Sequence, residues 1–158
     1  MLSQLEQLSF AVDGRYATDF ELQFIDDYAQ SFNLRLQTYQ KLRAIESTVV
    51  QQAYDKLKSQ HASFFQFAGN DLSQKWKQDT IRVLRYSAVA MLMNDTETLQ
   101  ERFLLWFQTI MRSFGVQRNC RLTYEVMQEV VKEHLTPSQA NLFCPILELN
   151  RHSLGKED

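Results

Sequence analysis

In the stretch SQKWKQDTIRVLRYSAVAMLMND, Ser73 to Asp95, polar positions dominate the first half and apolar positions the second. Ile81, Leu84, Ala88 and Met91 recur at helical spacing, and Val83, Val89, Ala90 and Leu92 widen the apolar arc until little is left for water. The pattern predicts one long helix over about Asp71 to Met93 whose second half is central to the fold. Phe103, Leu104, Trp106, Phe107 and Ile110 supply the apolar face of the following helix, and they read as its packing neighbours in the core rather than as a cofactor box.

Helix starts are marked where a Ser or Thr accepts from an early backbone N–H and a Glu or Gln three residues later reaches back. Four stretches have that form: SQLE from Ser3, TDFE from Thr18, TLQE from Thr98 and TPSQ from Thr136, the last with Pro137 at the first helical position. They predict a short helix over about Ser3 to Val12, a turn at DGRY, and helical chain from Thr18 through His61 with breaks near Ser31 to Asn33 and near Ser47. After the loop ASFFQFAGN and the long helix come helices over Thr98 to Phe114, about Val116 to His134, and Thr136 to about Asn150. Gly115 suits a left-handed stop between two of them. No linker, repeat or low-complexity tract divides the chain. Residues 1–150 therefore read as a single domain of about seven or eight helices, and residues 151–158 as a frayed tail.

The composition agrees. The 158 residues are 44% hydrophobic and 12% aromatic, enough for a core without staples, and only 4 Gly and 2 Pro leave little material for hairpins. The fold class read from this is all-α. Seventeen Lys and Arg are scattered against nineteen Asp and Glu, for a net charge of -2, so nucleic acid is not the expected partner. No apolar run approaches ~18 residues and no signal-like segment opens the chain, so membrane insertion is not expected and the cytoplasm is the expected compartment.

Candidate chemistry is sparse. No His falls between Ala62 and Glu133, which removes the proximal imidazole a haem globin needs. His61 and His134 end helices, where the dipole favours a cationic ring. Glu125, Glu129 and Glu133, with Lys132 among them, read as a solvated face. Cys120 and Cys144 stand outside any CxxC or metal-ligand spacing and read as reduced structural thiols. No paired carboxylates, activated nucleophile or phosphate loop is present, so neither a catalytic nor a metal site is expected.

Four segments together carry a family likeness. GRYATDFELQFIDDY, AGN at Ala68 to Asn70, VLRYSAVAMLMNDTETLQER, and MRSFGV followed by YEVMQEVV resemble, in order and spacing, segments of the phycobiliproteins, the globin-like light-harvesting subunits of phycobilisomes. The resemblance runs over about Leu2 to Leu149. It implies an N-terminal antiparallel helical hairpin used for subunit pairing, followed by a globin-like bundle of about six helices.

The departures bear on function. Members of that family attach a linear tetrapyrrole, a bilin, to a Cys early in the long helix, and an Arg and an Asp nearby hold a propionate and the pyrrole nitrogens. Here Trp76 falls at the Cys position, the region from Asn70 to Leu84 is about one helical turn shorter, and no Cys occurs between Met1 and Asn119. Only a thiol side chain can form a thioether, so attachment at the usual place is excluded. Cys120 and Cys144 lie too far along the chain to be expected at the same pocket. What remains is a non-covalent bilin groove of Asn70, Trp76, Lys77, Asp79 and Arg82, with aromatic faces from Phe64, Phe65 and Phe67 and a further cation from Lys75. Asp79 and Arg82, one turn apart, have a plainer reading that the sequence favours: a surface pair contributing about 0.2–0.5 kcal/mol.

The likeness also implies a dimer. Asp13, Arg15, Tyr16, Phe20 and Phe24 of the hairpin would meet Arg85 and Tyr86 of a second copy, Asp13 pairing with Arg85 twice by symmetry, with Leu5, Leu8 and Tyr28 adding apolar area. Two functions follow as expectations. One is a non-catalytic relative without covalent chromophore, acting in bilin metabolism or phycobilisome biogenesis beside bilin-pathway or phycobilisome proteins. The other is a structural or regulatory interaction module with no tetrapyrrole.

Overall fold

The computed structural model describes residues 1–156. Helices α1 (Leu2–Ala11) and α2 (Asp19–Gln60) are followed by the two-residue strands β1 (Gln66–Phe67) and β2 (Asn70–Asp71). Then come α3 (Ser73–Met93), α4 (Thr96–Leu99), a π-helical turn (Gln100–Leu104), α5 (Leu105–Ser113), α6 (Gln117–His134) and α7 (Pro137–Leu154). The fold is all-α. Because α4, the π turn and α5 are continuous and α2 is unbroken, the described residues form six rods rather than seven or eight.

The breaks expected near Ser31 and Ser47 do not occur. Ser31 turns its hydroxyl back to the Tyr28 carbonyl at 3.1 Å, so it does not interrupt the ladder, and α2 runs on unbroken through Ser47. The start of α2 is as expected: the Thr18 hydroxyl accepts from the Glu21 N–H, and the Glu21 carboxylate accepts from the Thr18 N–H. Thr136 and Gln139 cap α7 reciprocally, with Pro137 in its first turn. The boxes at Ser3 and Thr98 are not used. Asp95 caps α4 by accepting from the Thr98 N–H at 3.1 Å, and it also takes the Ser3 N–H at 3.0 Å and the Ser3 hydroxyl at 2.9 Å. A carboxylate is a stronger acceptor than a hydroxyl, so one buried Asp replaces both expected caps.

The tail departs too. Helix α7 continues through Leu154, whose side chain is fully buried, because that apolar residue completes the α7 face; residues 151–154 are therefore not frayed, and residues 157–158 lie outside the described part.

Leu42, Val49, Leu57, Val83, Leu84, Met91, Phe103, Leu104, Phe107, Met127, Val131, Phe143 and Leu147 form one core. Helix α3 crosses it, packed chiefly between α2 and α7. The expectation that its second half is covered all round is corrected: Tyr86 and Val89 are half-exposed. The α3 C-terminus is sealed from α2, where Arg35 Nη1 donates to the Met91 carbonyl at 2.6 Å and the Tyr28 hydroxyl to that of Leu92 at 3.1 Å. Asn94 then closes it in the left-handed conformation, and Gly115 takes the same conformation between α5 and α6.

By contrast α1 buries no residue, and α2 buries none before Thr38. The N-terminal segment thus adds little to the core, and α1 is tied to the bundle by polar contacts instead: Met1 and Ser3 bond Asn94 and Asp95, and Gln7 reaches Glu97 of α4.

Candidate functional site: an aromatic cavity under the β hairpin

A cavity of about 450 Å³ opens between the β hairpin, the first half of α3, α5 and α6. Its size is that of an ordinary small-molecule site. The hairpin roof forms because Ala68 and Gly69 both take positive φ, the backbone a tight two-residue turn requires. Asn119 holds this roof to α6 by donating to the Phe64 carbonyl at 3.0 Å, and the Leu72 N–H donates to the Phe65 carbonyl at 2.8 Å.

The walls are mostly apolar and aromatic: Phe64, Phe65, Phe67, Trp76, Phe107 and Phe114 among them. Trp76 is fixed rather than loose. Its indole N–H donates to the Thr123 hydroxyl at 2.9 Å, and the Phe65 ring meets it edge-on at 5.3 Å. Trp106, expected in the core, is instead half-exposed on the cavity's lip, because the π turn directs Phe103, Leu104 and Phe107 inward and leaves Leu105 and Trp106 outside.

Of the five groove residues read from the sequence, Trp76, Asp79 and Arg82 line the cavity. Asn70 and Lys77 do not. Asn70 is the first residue of β2 and its side-chain amide turns to the Ala68 carbonyl at 3.4 Å, while Lys77 points to α2, donating to Gln51 at 2.8 Å and lying 4.2 Å over the Tyr54 ring. Asp79 pairs with Lys75, one turn earlier, at 2.9 Å, and not with Arg82. Arg82 is exposed at the mouth and makes no ion pair or side-chain hydrogen bond among the described residues.

Four residues on α6 were not foreseen there: Asn119, Cys120, Thr123 and Tyr124 all line the cavity. Distance along the chain was a poor guide for Cys120, since α6 lines the same cavity as the first half of α3 and is joined to it by the Trp76–Thr123 bond. The visible signal was the spacing of Cys120, Thr123, Tyr124 and Met127, which puts them on one inward face of a helix. Burial pushes the Cys120 thiol up to about 12, with the Asp79 carboxylate adding to it, so it is a protonated thiol at neutral pH.

A second surface lies on the hairpin. Tyr16 and Phe20 are 97% and 90% exposed, and Leu2, Leu5, Phe10 and Phe32 are exposed as well. Phe24 is half-buried, and Asp13 is exposed. Arg15 is held within the chain by two bonds to Glu21, at 2.7 and 2.9 Å, which hold the Glu21 carboxyl down at about 2. Arg85 likewise makes a two-pronged pair with Glu46 of α2, both bonds 2.7 Å. Tyr86 stacks on Phe103, with ring centres 4.3 Å apart.

Glu125, Glu129 and Glu133 are exposed on α6, as a solvated face should be, with Glu129 paired to Lys56 at 2.5 Å. Among the described residues no group of His, Cys, Asp and Glu is placed to hold a metal, and no helix is long and apolar enough to cross a membrane.

The family's model for phycobilisome proteins matches residues 9–154, nearly the whole chain, and the chain belongs to that family. Its members are structural light-harvesting proteins rather than enzymes. A search of curated proteins finds no match to the chain.

Proposed function

We propose that this chain is a non-catalytic phycobilisome-family protein that carries no covalent chromophore, holds a linear tetrapyrrole weakly and reversibly, and serves bilin metabolism or phycobilisome biogenesis in the cytoplasm. The cavity is the observation that carries this reading: an aromatic slot of about 450 Å³ with the cations Lys75 and Arg82 at its mouth fits an elongated conjugated ligand bearing carboxylates. When bound, such a pigment supplies the visible absorption. The chain's own part is to bury it against Phe64, Phe65 and Trp76 and to meet a propionate with Arg82. Trp76 supports the absence of a thioether at the position where the family has its Cys, and the protonated state of Cys120 supports it within the cavity.

The exposed hairpin supports a second element of the proposal, assembly with another copy through Tyr16, Phe20 and Phe24 against Tyr86. Arg85 is already paired to Glu46, so its contact with Asp13 of the second copy would compete with an existing bond and contribute more to register than to affinity. An interaction module without any tetrapyrrole is the competing reading, favoured by that same exposed face.

Titration with biliverdin and with phycocyanobilin, followed by absorbance and circular dichroism, separates the two. Saturable induced dichroism that disappears on denaturation supports a reversible pigment site; unchanged spectra leave the interaction module, and a zinc-fluorescent band on a denaturing gel contradicts the non-covalent claim.

A further inference from the structure

The cavity has two chemically different ends. At its mouth are charges, the exposed Lys75 and Arg82 and the half-buried Asp79. Deep in its wall are neutral polar groups: Thr80 and Tyr124, only 3% and 4% exposed, and Cys120 beside them. A buried hydroxyl ordinarily finds a partner, because leaving it unpaired costs its full desolvation. Neither the Thr80 nor the Tyr124 hydroxyl makes a hydrogen bond among the described residues, and neither is sealed off, so both face the cavity's open space. Thr123 differs in that its hydroxyl already has a partner, accepting from the Trp76 indole N–H. Two hydroxyls without a partner, one from α3 and one from α6, therefore line the buried part of the same cavity.

Resting on the bilin reading above, we infer that the inner end is a recognition site for a neutral carbonyl-type acceptor, read by the hydroxyls of Thr80 and Tyr124. The ligand is then polar at both ends: an anionic group meets Arg82 at the mouth, and an uncharged carbonyl or lactam accepts from Tyr124 and Thr80 inside. An apolar molecule with a carboxylate alone satisfies only the mouth. Tyr124 suits the inner role because burial raises its pKa well above the usual range and keeps the hydroxyl a donor.

The test compares two probes by equilibrium titration. Biliverdin carries carboxylates and terminal lactam carbonyls; palmitate carries a carboxylate and no second polar end. Tyr124→Phe and Thr80→Val are each expected to weaken biliverdin by about five-fold, the worth of one hydrogen bond, and to leave palmitate unchanged. Arg82→Glu is expected to weaken both. Far-ultraviolet circular dichroism and urea midpoints establish that the variants are folded, and Thr80→Ser, which keeps the hydroxyl, should restore biliverdin binding if Thr80→Val lost it through chemistry. If biliverdin binds the wild type but Tyr124→Phe and Thr80→Val bind it equally well, or if they weaken palmitate to the same extent, the inner site is overturned while the bilin reading stands. If the wild type binds no biliverdin, both fall.

Discussion

Trp76 donates its indole N–H to the Thr123 hydroxyl at 2.9 Å, so the residue that the family resemblance sets at the attachment position is tied to α6 as a wall of the cavity. Trp76 lines the groove without filling it, the indole lying against Phe65 of the loop before β1 and Tyr54 of α2. Trp76→Phe keeps the apolar wall and removes the bond. The expected result is a loss of about 1–2 kcal/mol in urea unfolding, with pigment binding retained.

Asp95 sets a pH dependence. Burial alone would raise its carboxyl, but the N–H groups of Ser3 and Thr98, the Ser3 hydroxyl and the Met1 ammonium hold it at about 2. The folded value lies below the unfolded one of about 4, so its stabilisation is complete above pH ~4 and fades as pH falls towards 2. Asp95→Asn should lower the urea midpoint at pH 7, and its gap from the wild type should shrink between pH 4 and pH 2. A gap that does not change with pH contradicts this.

The thiols should separate by reactivity. Cys120 is buried and pushed up to about 12, whereas Cys144 is half-buried on α7 and raised less. In the native protein iodoacetamide is expected to label Cys120 at least about ten-fold more slowly than Cys144, with the difference lost in denaturant. Peptide mass spectrometry reads both sites, and faster labelling of Cys120 would show that the cavity wall opens.

How much of this was legible in the sequence depends on the range of each interaction. The boxes at Thr18 and Thr136 were readable because donor and acceptor are three residues apart. Those at Ser3 and Thr98 misled because Asp95 outcompetes both, and its bond to Ser3 spans 92 positions. Trp76, Asp79 and Arg82, reached by aligning back from the Leu84-Arg85-Tyr86 motif, do line the cavity. Asn70 and Lys77 fall off the lining because Asn70 turns its amide into the hairpin turn and Lys77, one position after Trp76 on α3, points to α2. The inward α6 residues were visible as a periodic face, yet nothing local says that α6 faces α3 across open space.

The hairpin gives a prediction about assembly. Phe20 is almost wholly exposed, so Phe20→Asp should leave the urea midpoint nearly unchanged, within about 0.5 kcal/mol, while abolishing dimers at micromolar concentration. Light scattering of wild type and variant reads this. A monomeric wild type removes the proposed pairing.

The most direct test of the pigment site uses the chain's own reporters. Its 2 tryptophans, Trp76 and Trp106, both line the cavity. A conjugated tetrapyrrole seated there lies against both rings, so titration with biliverdin should quench tryptophan fluorescence saturably at one pigment per chain. Arg82→Glu should shift that titration to higher concentration. Fluorescence that stays unchanged at saturating pigment would contradict a tetrapyrrole in this cavity.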